Sequence, residues 1–290
     1  MEFNQITYFL RTCDTLNFTR AAELCNVSQP SLSAAIKKLE NELGGALFTR
    51  DGRVIEMTTL GESMRIHLGQ IEQAREAANL AASTLVHSGK YVINLGFMCT
   101  LSPRRLLSAI ASFSDETPNN ELLIHDVWQS KALELLLSGA LDCIIMAGMS
   151  DLAERFVEQR LTEEKMMVAM DKAHPLSNRD RISFSDLQSL HYVDRLRCEF
   201  REMFFEELDS RQIEAQVVLR SEREDLVGGA IAESIGISIM PESAAKNADL
   251  KTCDLDELSI IRKISIVTVK DRELHPAVHR LIQHVLVAYQ

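Results

Sequence analysis

Between Thr59 and Ser88 the chain carries no proline and has glycine only at positions 61 and 69. Leu60, Met64, His67, Ile71, Ala74, Ala78, Ala81 and Leu85 recur there at spacings that alternate four and three. This is a heptad seam, and it predicts one long helix. Glu62, Arg65, Glu72, Arg75 and Glu76 fall outside the seam. So many alanines make a thin core for a single chain, but they let two copies of the helix approach closely. The seam therefore predicts self-association; the alternative is an amphipathic helix lying on its own domain. Either way, it separates a short segment before it from a long one after it.

The short segment, residues 1–58, predicts three helices and a hairpin. The first helix runs from near Asn4 to Leu16, with Ile6, Phe9, Leu10 and Cys13 on one face. Thr19 reads as the N-cap of a second helix that ends near Cys25 and Asn26. Ser28 caps a third, in which Leu32, Ile36, Leu39 and Leu43 form an apolar stripe while Gln29, Ser33 and Lys37 point elsewhere. Residues 47–57 follow as strand-like pieces around Asp51-Gly52, the hairpin signal of a wing. Together these elements predict a winged helix-turn-helix.

Charge argues against a nucleic-acid partner for the chain as a whole. Asp and Glu number 42 against 31 Lys and Arg, a formal net charge of -11. Residues 1–58 are nearly neutral, with six basic and seven acidic side chains, so attraction to phosphate has to come from geometry. A helix N-terminus supplies free N–H groups and a partial positive charge. Gln29 can pair with adenine, Ser31 and Ser33 can donate or accept, and Pro30 can lie against a thymine methyl. Lys37, with Arg50 and Arg53 in the wing, suits backbone phosphates. Taken singly, Ser28, Pro30 and Ser31 are also ordinary helix-start residues.

From Tyr91 onward, short apolar runs at Val92–Phe97, Leu122–Val127, Leu141–Ala147, Met166–Met170, Val217–Leu219, Ile237–Met240 and Ile264–Val269 alternate with helical stretches. That order predicts α/β architecture with a parallel sheet, and its length suits two small lobes with a cleft at the strand carboxyl ends. No G-x-G-x-x-G, P-loop or metal-type His cluster occurs, so no enzyme, cofactor or metal is expected. Cysteines at 13, 25, 99, 143, 198 and 253 never form C-x-x-C, which suggests neither a zinc ribbon nor a disulfide framework. The N-terminus has no leader-like basic and apolar regions, and no stretch approaches the roughly 18 apolar residues of a membrane span. A cytoplasmic protein with no membrane partner is expected.

Phe18 to Arg50, FTRAAELCNVSQPSLSAAIKKLENELGGALFTR, resembles the N-terminal domain of LysR-type transcriptional regulators. Thr59-x-Gly61, the long helix, His174-Pro175-Leu176, and Gly236-Ile237 followed by Met240-Pro241 extend the resemblance along the chain. It implies a winged helix-turn-helix over residues 1–58 and a dimerising linker helix and hinge over 59–89. It also implies an effector domain over 90–290 shaped like periplasmic solute-binding proteins. Lobe I would then cover about 90–162 and 268–290, and lobe II about 163–267. A homotetramer built as a dimer of dimers, bending double-stranded promoter DNA, is implied too, with a small-molecule effector and RNA polymerase as further partners. The family's DNA-binding positions carry over onto Thr19, Ser28, Gln29, Pro30, Ser31, Ser33, Lys37, Arg50 and Arg53. Ala34-Ala35 depart from the many members that have Arg or Gln there, so base reading is expected to rest on Gln29, Pro30, Ser33 and methyl contacts.

In this family the inducer sits between the lobes, and the matching positions here are Thr100, Leu101 and Ser102 on one side and Arg197, Cys198 and Arg201 on the other. Hydroxyls and N–H groups ahead of a helix near Pro103 suit a carboxylate. Arg195, Arg197 or Arg201 can supply its counter-charge, so an anionic effector is expected; the alternative is that these arginines pair with acidic residues. Cys198 falls near the reactive cysteine of peroxide-sensing members, and Arg197 and Arg201 can lower its pKa. A redox switch through Cys198 is thus an alternative, although no resolving cysteine follows before Cys253. An alternative of another class, a solute-binding module on the same two lobes, leaves residues 1–88 unexplained.

Overall fold

The computed structural model describes residues 1–51, 54–88, 90–148, 152–256 and 258–290. They form two compact units, one comprising the N-terminal 87 residues and the other nearly all of the remainder.

The first unit contains α1 (Phe3–Thr15), α2 (Phe18–Leu24), α3 (Gln29–Leu43), β1 (Phe48–Asp51), β2 (Val54–Met57) and α4 (Thr59–Ser88). Asn17, and not Thr19, caps α2: its side-chain oxygen accepts the Arg20 N–H at 3.0 Å. Capping two residues earlier sets Phe18 inward as the first helical residue, 6% exposed, and leaves Thr19 on the surface. Ser28 caps α3 as expected, and the helix ends at Gly44 with a left-handed φ of 79°. The core gathers the rings of Phe9, Phe18 and Phe48, with centroids 5.5 and 5.6 Å apart, under Leu32, Ile36 and Leu39 of α3. β1 and β2 pair antiparallel from Phe48↔Met57 to Asp51↔Val54, the expected wing. Arg53 lies outside the described residues, and Arg50 is placed only by its backbone in β1.

Helix α4 spans the heptad segment, but its first turns are used within this unit. Leu60 and Met64, which the sequence assigns to the self-association seam, pack with Leu68 on the head's core. The junction before it is clamped. The Thr58 hydroxyl donates to the Ala46 carbonyl at 2.7 Å and accepts the Gly61 N–H at 3.0 Å. A Cβ at Gly61 would stand 2.2 Å from the Leu47 carbonyl oxygen, so only glycine fits. Farther along, Ile66, Ile71 and Val86 are exposed.

The second unit begins with β3 (Tyr91–Met98), α5 (Arg104–Glu116), β4 (Asn120–Val127), α6 (Gln129–Ser138) and β5 (Cys143–Gly148). There β3 pairs in parallel with both β4 and β5, as the βα alternation predicts. The strand β6 (Phe156–Met170) then leads into a second lobe containing β7 (Arg181–Ile182), β8 (His191–Arg195), α7 (Arg201–Ser210), β9 (Gln216–Ser221), α8 (Glu224–Ala232), β10 (Ser238–Pro241), α9 (Glu242–Asn247) and β11 (Lys251–Leu255). β12 (Ile261–Val269) returns to the first lobe, which α10 (Pro276–Ala288) completes.

The main sheet, in the order β4-β3-β5-β12-β6-β11-β7, is mixed rather than parallel. β12 runs antiparallel to both β5 and β6, and β10 and β11 are antiparallel to β6, because β6 and β12 are the out and return crossings between lobes. The first stretch of β6 has no apolar run to betray it: residues 157–160 are exposed where β6 lies beside β12 at the edge of the lobe I sheet. Ile264, Ile266 and Val267 belong to the first lobe's core, so the return crossing lies nearer Ile261 than the boundary after residue 267 expected from sequence. The register shifts at Ile264/Ser265, where Leu161 is the extra residue and makes a bulge in β6.

Gly61→Val forces a side chain against the Leu47 carbonyl. It should destabilise the first unit by about 1–3 kcal/mol, read in the full chain as faster hydrogen exchange of α1–α3 amides with the effector-domain amides unchanged.

Candidate functional site

Two surfaces carry functional side chains. On the first unit, Ser28, Pro30 and Ser31 are exposed at the start of α3, with Ala34, Lys37 and Lys38 along the same helix and Thr19 exposed on α2. The Ser28 and Ser31 hydroxyls lie 2.7 Å apart, and the Ser31 N–H donates to Ser28 Oγ at 3.3 Å. Gln29 Nε2 donates to Ser33 Oγ at 2.7 Å, which holds the amide along the helix. Lys37 pairs weakly with Glu40 at 3.7 Å, while the other Glu40 oxygen accepts the Leu47 N–H.

In the second unit the lobes meet over a buried cluster. Arg262 on β12 is fully enclosed and faces Glu164, its cross-strand partner on β6. Nε and Nη2 of Arg262 donate to Glu164 Oε2 at 3.0 and 2.7 Å. Nη1 donates to Glu199 Oε1 at 2.7 Å and to Thr100 Oγ1 at 3.1 Å, and Nη2 also reaches the Thr100 carbonyl at 2.9 Å. One guanidinium thus joins both crossing strands to the β3–α5 loop of lobe I and the β8–α7 loop of lobe II. Asn247 of α9 adds a second bridge by donating to Ser102 Oγ at 2.7 Å.

Three cavities flank these bridges. One of about 710 Å³ includes Arg104, Lys246 and Tyr289; one of about 670 Å³ includes Cys99, Asp126 and Glu224; Leu101, Ser102 and Asn247 border both. The third, about 620 Å³, holds Trp128, Arg197, Cys198, Glu199 and Arg201.

A model described as the LysR substrate binding domain matches residues 88–289, and one for the bacterial regulatory helix-turn-helix protein of the lysR family matches residues 3–62. The chain belongs to the LysR family of transcriptional regulators. An uncharacterized HTH-type transcriptional regulator, YybE of Bacillus subtilis, is 28% identical over 99% of this chain and 98% of its own. The DNA-binding transcriptional dual regulator OxyR of Escherichia coli is 32% identical over 64% of this chain and 61% of its own. Full-length CbnR, solved with its target DNA, superposes with a TM-score of 0.66 at 19% identity, covering 99% of this chain and all of that one, which shows a shared fold.

This LysR regulator's cleft differs in one respect from the sequence expectation. The arginines expected to meet an anionic effector are engaged by carboxylates. Arg201 forms a two-pronged pair with Asp194 at 2.8 and 2.7 Å, Arg197 pairs with Glu222 at 2.9 Å, and Arg195 holds Glu224 at 3.1 and 2.8 Å. Thr100 is buried and committed to Arg262, whereas Leu101 and Ser102 border cavities. Sequence reasoning missed Arg262, Glu164 and Glu199. A usable signal existed: Ile260, Arg262 and Ile264 share one face of a strand, and both isoleucines are buried, so the charge between them points inward.

Burial raises the Cys198 thiol pKa, outweighing the lowering effect of Arg195, whose Nη1 lies 3.4 Å from the sulfur. Burial likewise raises Cys99, and pushes Cys253 up to about 11. None of the six cysteines is in a disulfide. Cys198 is therefore held as the weakly nucleophilic thiol at neutral pH.

Two outcomes follow. Cys198 should alkylate with iodoacetamide more slowly than glutathione at pH 7, measured by mass spectrometry. Arg262→Met, which strands two buried carboxylates, should cost about 3–5 kcal/mol. Urea denaturation of the variant beside the wild type measures that loss.

Proposed function

We propose that this regulator binds double-stranded promoter DNA as a sequence-specific dimer on an interrupted inverted repeat, with α3 reading the major groove. The observation that carries the reading is the exposed start of α3, where the Ser28, Pro30 and Ser31 side chains face solvent over the packed core of the unit. Gln29 and Ser33 leave their mutual hydrogen bond to meet base edges. Thr19, Lys37, Arg50 and Arg53 contact phosphates, those in the wing being assigned from sequence alone. Exposed Ile71, Ala74 and Ala78 on α4 support pairing of the linker helix with a second copy, and dimers then join as a tetramer.

The effector domain, in this reading, binds a small molecule between its lobes and alters the DNA complex met by RNA polymerase; it performs no catalysis and works in the cytoplasm. Among the described residues no group of side chains suits a metal, and no helix is long and apolar enough to cross a membrane. Domain limits near residues 58 and 89 follow the wing and the end of α4.

Gln29→Ala should weaken binding to the cognate duplex by about 1–3 kcal/mol while sparing scrambled DNA; fluorescence anisotropy on the two duplexes decides, and equal losses would deny base reading. Ile71→Glu places a charge in the paired seam and should give monomers by light scattering.

A further inference from the structure

The buried cluster at the hinge carries an imbalance of charge. One guanidinium, that of Arg262, faces two carboxylates, Glu164 and Glu199, whose side chains are only 9% and 5% exposed. Glu164 is satisfied: one oxygen takes two Arg262 donors and the other accepts the Ser243 N–H at 3.0 Å. Glu199 is not. Its Oε1 is held by Arg262, but its Oε2 is shielded and meets no donor among the described residues. A carboxylate oxygen in that position demands an N–H or a cation.

Of these three side chains, Glu199 is the one that borders the cavity of about 620 Å³. Met98, Leu133 and Leu196 give that cavity apolar walls, and Glu202 stands at its exposed side. Its two arginines, 197 and 201, are already paired with Glu222 and Asp194. Trp128 already receives a cation there, since the Arg197 guanidinium carbon lies 4.2 Å from its ring centroid. The cavity of about 670 Å³ repeats the shortage of donors: Glu224 Oε1 is shielded and meets no donor among the described residues, and Asp126 borders the same space from the opposite lobe.

We propose that the cavity before Glu199 takes an organic cation rich in N–H groups, an alkylamine or a guanidine, with the Glu199 carboxylate as its counter-ion. This rests on the reading of the cleft as an effector site and assigns the chemical class of the effector. The apolar walls accept the carbon chain, and the ammonium or guanidinium completes the charge of the Arg262 cluster. Because Glu199 belongs to the lobe II loop and Arg262 to a crossing strand, neutralising the cluster acts on the hinge itself.

Trp128 is the chain's single tryptophan, so its fluorescence reports this cavity directly. Full-length protein titrated with agmatine, putrescine and methylguanidine should show a saturable change in emission, and succinate, benzoate and glutarate should show none. Glu199→Gln should weaken the amine response at least tenfold, with circular dichroism and melting confirming the fold. Glu202→Gln, at the exposed side, should weaken it less and keeps the test open if Glu199→Gln fails to fold. Undiminished amine binding by Glu199→Gln overturns the proposal. Saturation by the acids but not the amines overturns the cation while leaving the effector cleft standing; silence toward both classes and toward a broad metabolite panel removes both.

Discussion

The effector domain depends on a charge taken entirely out of water. Desolvating a guanidinium costs several kcal/mol and is offset only when the geometry is good and the partners are many. Arg262 meets that condition with five hydrogen bonds to three residues from three separate stretches of chain. Hydrophobic packing holds each lobe together by itself, as the separate cores around Ile144 and Phe204 indicate. What fixes one lobe against the other includes polar, directional contacts centred on the two-strand crossing.

That division of labour suits a protein whose cleft has to respond to a ligand. A wide apolar interface between lobes would weld them, whereas a small hydrogen-bonded cluster has a limited number of arrangements that a bound charge can bias. The bulge at Leu161 of β6 lies beside the cluster, a few residues from Glu164. The Asn247–Ser102 bridge supplies a second, weaker tie, neutral and exposed, between the same lobes. Arg195, Arg197 and Arg201, which look available in the linear chain, are consumed in building the walls.

The DNA-binding unit solves a different problem, presenting a helix end rigidly. The aromatic cluster of Phe9, Phe18 and Phe48 fixes α3 from behind, and the Ser28 cap satisfies one N–H while leaving the helix start open to solvent. The clamp of Thr58 and Gly61 fastens α4 to the wing by close backbone approach, so the linker helix starts from a fixed direction within that unit.

Local rules determined much of this protein. The Ser28 cap, the Asp51-Gly52 hairpin signal, the proline-free heptad segment and the βα alternation after Tyr91 are short-range patterns, and the winged head, the long helix and the two-lobed domain follow from them. Thr19 was misread because Asn17 offers an equivalent capping oxygen two residues earlier, and only the burial of Phe18 chooses between them. The first stretch of β6 and the strands β7, β8 and β11 escaped notice because they are short or solvent-facing, without an apolar run. Tertiary structure alone decided which charges meet. Arg262 lies about a hundred residues from Glu164 and more than a hundred and sixty from Thr100, and no periodicity encodes a contact of that range. The sequence supplies Arg195, Arg197, Arg201 and Arg262 among many carboxylates; the fold pairs them and leaves Glu199 with an oxygen unmet among the described residues, because pairing in a dry interior is settled by distance in space.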